Sequence, residues 1–198
     1  MLYNQTNRSP SNDTIIESLL RLRRIHDRDH PILQLIQDES EYNVLRAYSS
    51  NEMFGSTEFY NYVNEQLRND NKTTLTHLIP FIRRATSQIN NNGPSCDCVV
   101  YRGMDLSNKD RKFFTSGKKF RFPGFTSTST LREVARRFGN TLFEIRISAG
   151  CRQVRDIANI SCFTAEQEWL FSPYSRFRVG GKDHDLIVLE SMDNIMQI

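Results

Sequence analysis

The chain has 198 residues, of which 38% are hydrophobic and 25% are charged, and its formal net charge is +3. This length suits one domain with or without a helical extension, and thirteen Phe and seven Tyr exclude a disordered chain. The small net charge gives no reason to expect a nucleic-acid partner, and no apolar run is long enough to span a membrane. The polar N-terminus is unlike a signal peptide, so the cytosol is the expected compartment, with a trimmed secreted form left open.

The first half of the chain is predicted to be helical, because apolar residues recur there every three or four positions. Asn12 or Asp13 is the predicted N-cap of the first helix, which covers TIIESLLRLRRI at 14–25. Three further helices are predicted at Ile32–Tyr48, Thr57–Arg68 and Leu75–Ile89.

The character of the sequence changes near Cys96, where short β-like runs begin. Strands are predicted at Cys98–Arg102, Lys119–Phe122, Thr141–Ile147, Glu168–Phe171, Phe177–Val179 and Asp185–Glu190, with one helix at Leu131–Phe138. Helices first and strands later predict an α+β fold. We expect residues 1–95 to form a helical part and 96–198 a β-rich part of one domain.

Three motifs carry possible chemistry, and the first is Tyr101-Arg102-Gly103 at the end of a predicted strand. The guanidinium of Arg102 is a planar, permanently charged fork that suits a phosphate, and Gly103 lets a ligand approach the backbone closely. Taken alone, Arg102 is better explained as a surface arginine before a turn.

The second motif is Phe125–Ser129, in which hydroxyl residues alternate along a predicted strand. Side chains two residues apart share one face of a strand, where hydroxyls can bind a ribose or orient a carboxylate. Ordinary edge-strand chemistry is the alternative explanation.

The third motif is Glu166-Gln167-Glu168, followed by an apolar run. In an extended segment the two carboxylates face the same way, about 7 Å apart. Two acids at that distance repel each other unless a cation, or a positively charged transition state, lies between them. A solvated acidic turn is the alternative.

Several other kinds of site are not indicated by the sequence. No GxGxxG or GxxxxGK[ST] cradle, HExxH pair or Cys/His metal spacing occurs, so no metal is expected. The four cysteines (Cys96, Cys98, Cys151 and Cys162) include no CxxC pair, and their pairing stays open.

In chain order, the set aromatic-Arg-Gly, Ser-Thr-Ser and Glu-x-Glu resembles the R-S-E class of mono-ADP-ribosyltransferases, which includes vertebrate ecto-enzymes and binary bacterial toxins. SCFTAEQEWLFSPYSRFRV at 161–179 is similar to that family's catalytic turn and the strand after it. LRAYSS, FYNYVNEQLR and VARRFGNTLFEIRI also fit the family.

The resemblance implies N-terminal helices packed on a split antiparallel β-sandwich with a cleft for NAD, which is the substrate. Arg102 would hold the phosphates of NAD, and the backbone of Gly103 would hold its carboxamide. The product would be ADP-ribose attached to the arginine of an acceptor protein or to a guanidino compound, with nicotinamide released.

The resemblance also assigns roles to the other motif residues. Ser127 would orient Glu168 and touch the nicotinamide ribose, while Thr128 and Ser129 would support the cleft. Glu168 would bind the ribose 2′-hydroxyl and stabilise the cation formed there. Glu166 would position the acceptor guanidinium and accept its proton. The predicted catalytic residues are therefore Glu168, Glu166 and Ser127.

Some alternatives stay open at this point. Phe138 and Phe163 are candidates for stacking on nicotinamide or for acceptor recognition, but both also fit the core, which is favoured for Phe138. Trp169 stands where the family commonly has an aliphatic residue. An NAD glycohydrolase, or a non-catalytic NAD-binding module on the same scaffold, is the alternative function, and use of NADP is open.

Overall fold

The computed structural model describes residues 9–91 and 93–192. The chain divides into two compact units, Met1–Gln88 and Ile89–Ile198. The predicted division at 95/96 into a helical and a β-rich part stays a prediction.

The first unit is mainly helical. Its elements are α1 (Asn12–Leu20), α2 (Pro31–Gln37), α3 (Asn43–Tyr48), β1 (Met53–Phe54), β2 (Thr57–Glu58), α4 (Phe59–Arg68) and α5 (Lys72–Asn90), the last of which runs past the boundary between the units. The apolar stripe of each helix is buried, as its spacing predicts, and the fully buried side chains include Ile15, Leu19, Ile32, Leu45, Phe59 and Phe81.

Several details of this helical unit differ from the sequence prediction. The first helix ends at Leu20 and not at Ile25, and Thr57–Glu58 is a short strand that precedes α4. The N-cap of α1 is Ser11, whose Oγ accepts a hydrogen bond from the Thr14 amide at 3.2 Å, and not Asn12 or Asp13. The helix predicted over Ile32–Tyr48 is two helices. The buried amide of Asn43 donates to the Ile36 carbonyl at 2.6 Å and to the Asp38 carbonyl at 2.9 Å. These bonds satisfy carbonyls at the end of α2 and stabilise the break.

The second unit holds the larger sheet. Its elements are β3 (Cys98–Met104), α6 (Asn108–Arg111), β4 (Lys119–Arg121), β5 (Thr126–Ser129), α7 (Arg132–Arg136), β6 (Thr141–Ile147), β7 (Val154–Asp156), a 3-10 helix (Thr164–Glu166), β8 (Glu168–Phe171), β9 (Arg176–Asp183) and β10 (Leu186–Ser191). The strand order is β4-β9-β10-β6-β3-β5-β8-β7. The predicted bounds of β6 and β8 are confirmed.

The sheet is nearly split in two, since β3 and β5 are joined by a single registered pair, Tyr101 with Ser129. On one side of this junction lie β4, β9, β10, β6 and β3, and on the other lie β5, β8 and β7. The expectation of a purely antiparallel sandwich is wrong in one place, because β10 runs parallel to β6. The long connection from β6 through β7, β8 and β9 brings the chain back to β6 in the same direction, which a tight hairpin cannot do.

An aromatic core fixes the positions of these strands. Phe143 of β6, Phe171 of β8 and Phe177 of β9 are fully buried, and Phe171 and Phe177 pack edge to face at 5.1 Å between ring centroids. Aromatic pairs in this geometry stabilise a core beyond the area they bury. Val100 of β3 belongs to the same core, so packing fixes the positions of β3 and β8, which carry Arg102 and Glu168.

Candidate active site

Arg102 lies on β3 next to the junction of the sheet, where it is partly buried. Its Nη1 donates a hydrogen bond to the Ser127 carbonyl at 2.6 Å. A charged donor makes this bond stronger than one between neutral groups. The first two sequence motifs are therefore in direct contact across the junction.

Gly103 is required by packing. A Cβ atom at this position would lie 2.0 Å from the carbonyl oxygen of Ala135 in α7. Gly139, just beyond α7, has a φ of +155°, and a Cβ atom there would lie 2.2 Å from the Met104 carbonyl carbon. The sequence prediction explained Gly103 by the approach of a ligand, whereas the structure gives the close approach of α7 as a sufficient reason.

β5 brings the hydroxyl motif against β8. Ser127 Oγ donates to Glu168 Oε1 at 2.6 Å, and Ser129 Oγ donates to the Glu166 carbonyl at 2.6 Å. Thr128 Oγ1 donates to the Trp169 carbonyl at 2.7 Å. Ser127 and Ser129 point to the same face of β5 because they are two residues apart. Ser127 binds the side chain of Glu168, and Ser129 binds the backbone of Glu166.

Glu168 opens β8 and is almost fully buried, with 5% of its surface exposed. Each of its oxygens accepts a hydrogen bond, Oε1 from Ser127 and Oε2 from Ser161 Oγ at 2.9 Å. Burial raises the pKa of Glu168 above its ordinary value. The two serine bonds and the charge of Arg102 oppose that rise, and the charge of Glu166 adds to it. The site thus holds a desolvated carboxyl group whose ionised form is only partly stabilised by its neighbours.

Ser161 was not predicted. It lies in the loop after β7 with 4% of its surface exposed, seven residues before the glutamate that it contacts. No periodic pattern in the sequence predicts that this serine is buried against a carboxylate, because it lies in an irregular loop. The only hint is that it stands close to the acidic motif.

Glu166 is held differently from the sequence prediction. It ends the 3-10 helix, and Gln167 then takes a left-handed conformation, with φ 47° and ψ 54°, before β8 begins. The segment is therefore not extended, because this turn redirects the chain into the strand. Glu166 is partly exposed, and burial raises its pKa above the ordinary value. Its charge acts on Glu168, so the two acids do form an interacting pair.

The two aromatic candidates are both on the surface. Phe138 has 58% of its surface exposed and Phe163 has 38%, so the preference for Phe138 as a core residue is wrong. Phe138 lies in the turn that follows α7, where its amide donates to the Ala135 carbonyl at 3.1 Å while its side chain is exposed. Trp169 is partly buried against the aromatic core of the sheet.

Two features are absent from residues 9–91 and 93–192, which are the residues that the structure describes. Within these ranges, no group of three or more His, Cys, Asp or Glu side chains is arranged to hold a metal ion. None of the helices in the same ranges combines the length and apolar character needed to cross a membrane.

Solved structures define the fold class. Exoenzyme S from Pseudomonas aeruginosa, in a complex with human 14-3-3 protein beta and carba-NAD, matches with a TM-score of 0.63 and 19% identity, over 91% of this chain and 88% of that one. The ADP-ribosyltransferase Vis in complex with agmatine matches with a TM-score of 0.62 and 24% identity, over 97% and 90%. The fold is that of the ADP-ribosyltransferases, which confirms the predicted α+β class.

Sequence comparison defines the family. The chain belongs to the NAD:arginine ADP-ribosyltransferase family, whose model matches residues 15–195. The putative NAD(+)--arginine ADP-ribosyltransferase Vis of Vibrio splendidus is 35% identical over 114 residues, which is 50% of this chain and 43% of that protein. Human ecto-ADP-ribosyltransferase 4 is 37% identical over 106 residues, 53% of this chain and 30% of that protein. The chain thus matches less than half the length of these relatives.

Proposed function

We propose that this chain transfers ADP-ribose from NAD to an arginine side chain and releases nicotinamide. The observation that carries the proposal is the buried Glu168 carboxylate, which opens β8 with both oxygens held by serine hydroxyls. Membership of the NAD:arginine ADP-ribosyltransferase family supports it. So do the ligands of two proteins with the same fold, carba-NAD in one and agmatine in the other.

The chemistry of NAD cleavage fits a carboxylate of this kind. When the bond between nicotinamide and ribose breaks, its electron pair leaves with nicotinamide and neutralises the pyridinium, while the ribose carbon becomes cationic. A fixed negative charge beside that carbon stabilises the transition state, and its effect is strongest where water is excluded. The side chain of Glu168 is desolvated, and its neighbours stabilise its negative charge only in part. A cation that forms beside this carboxylate is therefore stabilised by it.

In this proposal, NAD is bound by residues of the first two motifs together with Glu168. Arg102 supplies the positive charge for the phosphates, and Gly103 presents its backbone to the carboxamide. Ser127 links Arg102 to Glu168, since its carbonyl accepts from the first and its hydroxyl donates to the second. Thr128 and Ser129 support the cleft through their bonds to the backbone of the acidic segment.

Glu166 is proposed to choose the acceptor. Its carboxylate is more exposed than that of Glu168 and lies at the end of a turn. A carboxylate can bind a guanidinium through two parallel hydrogen bonds. It then takes one proton as the guanidino nitrogen forms the new bond to the ribose carbon. The raised pKa of Glu166 makes it a better proton acceptor than an ordinary glutamate.

The test is an incubation with NAD and agmatine in which nicotinamide release and the ADP-ribosyl adduct are measured separately. Adduct is expected with the unmodified chain, and Glu168→Gln is expected to reduce both products by about 1000-fold. Glu39→Gln changes an exposed carboxylate of the helical unit in the same way and should have no effect.

Two results would contradict the proposal. Nicotinamide release without adduct would indicate an NAD glycohydrolase or a different acceptor residue. Binding of NAD with neither product would indicate a non-catalytic module on the same scaffold.

A further inference from the structure

Ser161 contacts both the side chain of Glu168 and the backbone of the loop that leads to it. Its Oγ donates to Glu168 Oε2 at 2.9 Å and accepts from the Phe163 amide at 3.1 Å. A hydroxyl has one proton, and the bond accepted from Phe163 orients the oxygen so that this proton points to the carboxylate. The bonds therefore run in one direction, from amide to hydroxyl to carboxylate, and such a chain strengthens each of its members.

The turn that carries Ser161 is attached to Glu168 at two points. The Ile157 amide donates to the Glu168 carbonyl at 2.9 Å, and the Ser161 amide donates to the Ile157 carbonyl at 2.7 Å. Residues 157–161 thus form a closed turn, bonded at one end to the main chain of Glu168 and at the other to its side chain. Farther along, the Glu166 amide donates to the Phe163 carbonyl at 2.9 Å. Ser161 consequently joins the buried carboxylate to the loop that presents Glu166.

We propose that Ser161 is a positioning residue that fixes the orientation of the Glu168 carboxylate. This inference rests on the proposed function of the site. The terminal torsion of a glutamate is broad when nothing restrains it. Here Ser127 holds one oxygen and Ser161 holds the other, so rotation of the group breaks both bonds. An ionised carboxylate can accept about four hydrogen bonds, and the two serines use two of these positions. Their bonds fix the plane of the carboxylate and therefore the direction of its two remaining lone-pair positions.

The charged groups around Glu168 are few. Glu166 acts on it from the loop, and Arg102 acts on it from β3. On the neighbouring edge strand β7, Arg155 and Asp156 are in register with Leu170 and Trp169 and not with Glu168. The bond from Ser161 lowers the pKa of Glu168, so its removal should raise that pKa further.

The experiment compares Ser161→Ala with Ser175→Ala in the full chain. Ser175 is an equally buried serine whose Oγ donates to the Ser172 carbonyl at 2.7 Å, and it belongs to a turn after β8. We expect Ser161→Ala to lower kcat for nicotinamide release by about 10- to 100-fold at neutral pH, with little change in the KM for NAD. The acid limb of its pH profile should move to higher pH, whereas Ser175→Ala should leave that limb in place.

A second readout does not depend on turnover. In protein labelled with ¹³C-glutamate, the carboxyl signal of Glu168 is identified by its absence in Glu168→Gln, and its titration midpoint is followed by NMR. The midpoint should be higher in Ser161→Ala than in the unmodified chain. Ser161→Cys replaces the hydroxyl with a weaker donor of similar size and should shift the midpoint less, in the same direction.

The outcomes separate the two proposals. An unchanged midpoint in both Ser161 variants would overturn the positioning role, as would an activity loss that follows thermal stability alone while the acid limb stays in place. If the unmodified chain releases no nicotinamide, the proposed function fails, and the NMR titration still decides the role of Ser161.

Discussion

The two carboxylates of the acidic motif belong to different kinds of structure, although only Gln167 separates them. Glu168 is part of β8, and its side chain is buried and held by two hydroxyls. Glu166 ends a single turn of 3-10 helix, is partly exposed, and is held through its backbone carbonyl by Ser129. A strand gives a fixed, desolvated charge, which suits a reacting carbon whose position does not vary. A partly exposed side chain at the end of a turn gives a charge that solvent and solutes can reach, which suits an acceptor that arrives from outside.

The strongest way to test this difference is to shorten each acid by one methylene. Glu168→Asp withdraws the carboxylate from Ser127 and Ser161, which cannot follow because β5 and the turn at 157–161 hold them. A displacement of about 1 Å in a catalytic group can reduce a rate by about 100-fold, so we expect a loss of about 100- to 1000-fold in nicotinamide release. Glu166→Asp should lower adduct formation less than about tenfold, because the side chain at this position is partly exposed and has room to change rotamer. Equal losses in the two variants would remove the distinction between strand and loop.

Glu166→Gln separates the two steps of the reaction. We expect transfer to agmatine to fall by about 100-fold, since the role proposed for Glu166 is to pair with the guanidinium and accept its proton. Hydrolysis of NAD by water should stay within a few-fold of the unmodified chain. Both rates come from one incubation, with adduct measured by mass and nicotinamide by chromatography. A parallel loss of both activities would place Glu166 in the cleavage step instead.

Ser127 and Ser129 bind Glu168 and Glu166 respectively, and we expect their removal to have smaller effects than changes to the two acids. Ser127→Ala removes a bond to the Glu168 side chain and should reduce nicotinamide release by about tenfold or more, with the acid limb moved to higher pH. Ser129→Ala removes a bond to the Glu166 backbone and should affect transfer more than cleavage. The ratio of adduct to nicotinamide, followed as a function of pH, distinguishes the two. An identical ratio in both variants would contradict this division of tasks.

The smallest expected effect concerns stability. Because the pKa of Glu168 is raised in the folded chain, this group favours folding when protonated and loses that contribution as pH rises through its folded pKa. Above that pKa, the folded state carries a charge that burial disfavours. Glutamine has no charge to desolvate, so Glu168→Gln should raise the Tm at pH 7, and the gain should shrink at pH 4, below the ordinary pKa of glutamate. Thermal unfolding at the two pH values measures it, and a lower Tm at pH 7 would contradict the sign.

Much of the fold was predictable because its signals are local. The alternation of Phe143, Ile145 and Ile147 predicted β6 correctly, and the apolar run after Glu168 predicted β8. The break between α2 and α3 was missed, because it depends on the buried amide of Asn43 bonding to carbonyls earlier in the chain. The exposure of Phe138 was missed too, since hydrophobic character alone does not tell on which side of a turn a side chain lies.

In the acidic site, too, the sequence predicted the residue types but not all of their contacts. Its residue types and their order were visible in the sequence, whereas the pairing of Ser127 with Glu168 was expected only from the resemblance to the family. The left-handed turn at Gln167 was not visible, and neither was the second serine, because both depend on how the loop closes onto β8.

The sequence by itself determined the residue types, the order of the three motifs and the periodicity of most helices and strands, because side-chain chemistry and apolar spacing are properties of short segments. Only the tertiary structure decided that β10 joins β6 in parallel, that Gly103 faces the carbonyl of Ala135, and that Ser161 binds Glu168. These are contacts between segments far apart in the chain or joined by irregular loops. They are fixed by packing and by the need of each buried polar group for a partner, which no local pattern encodes.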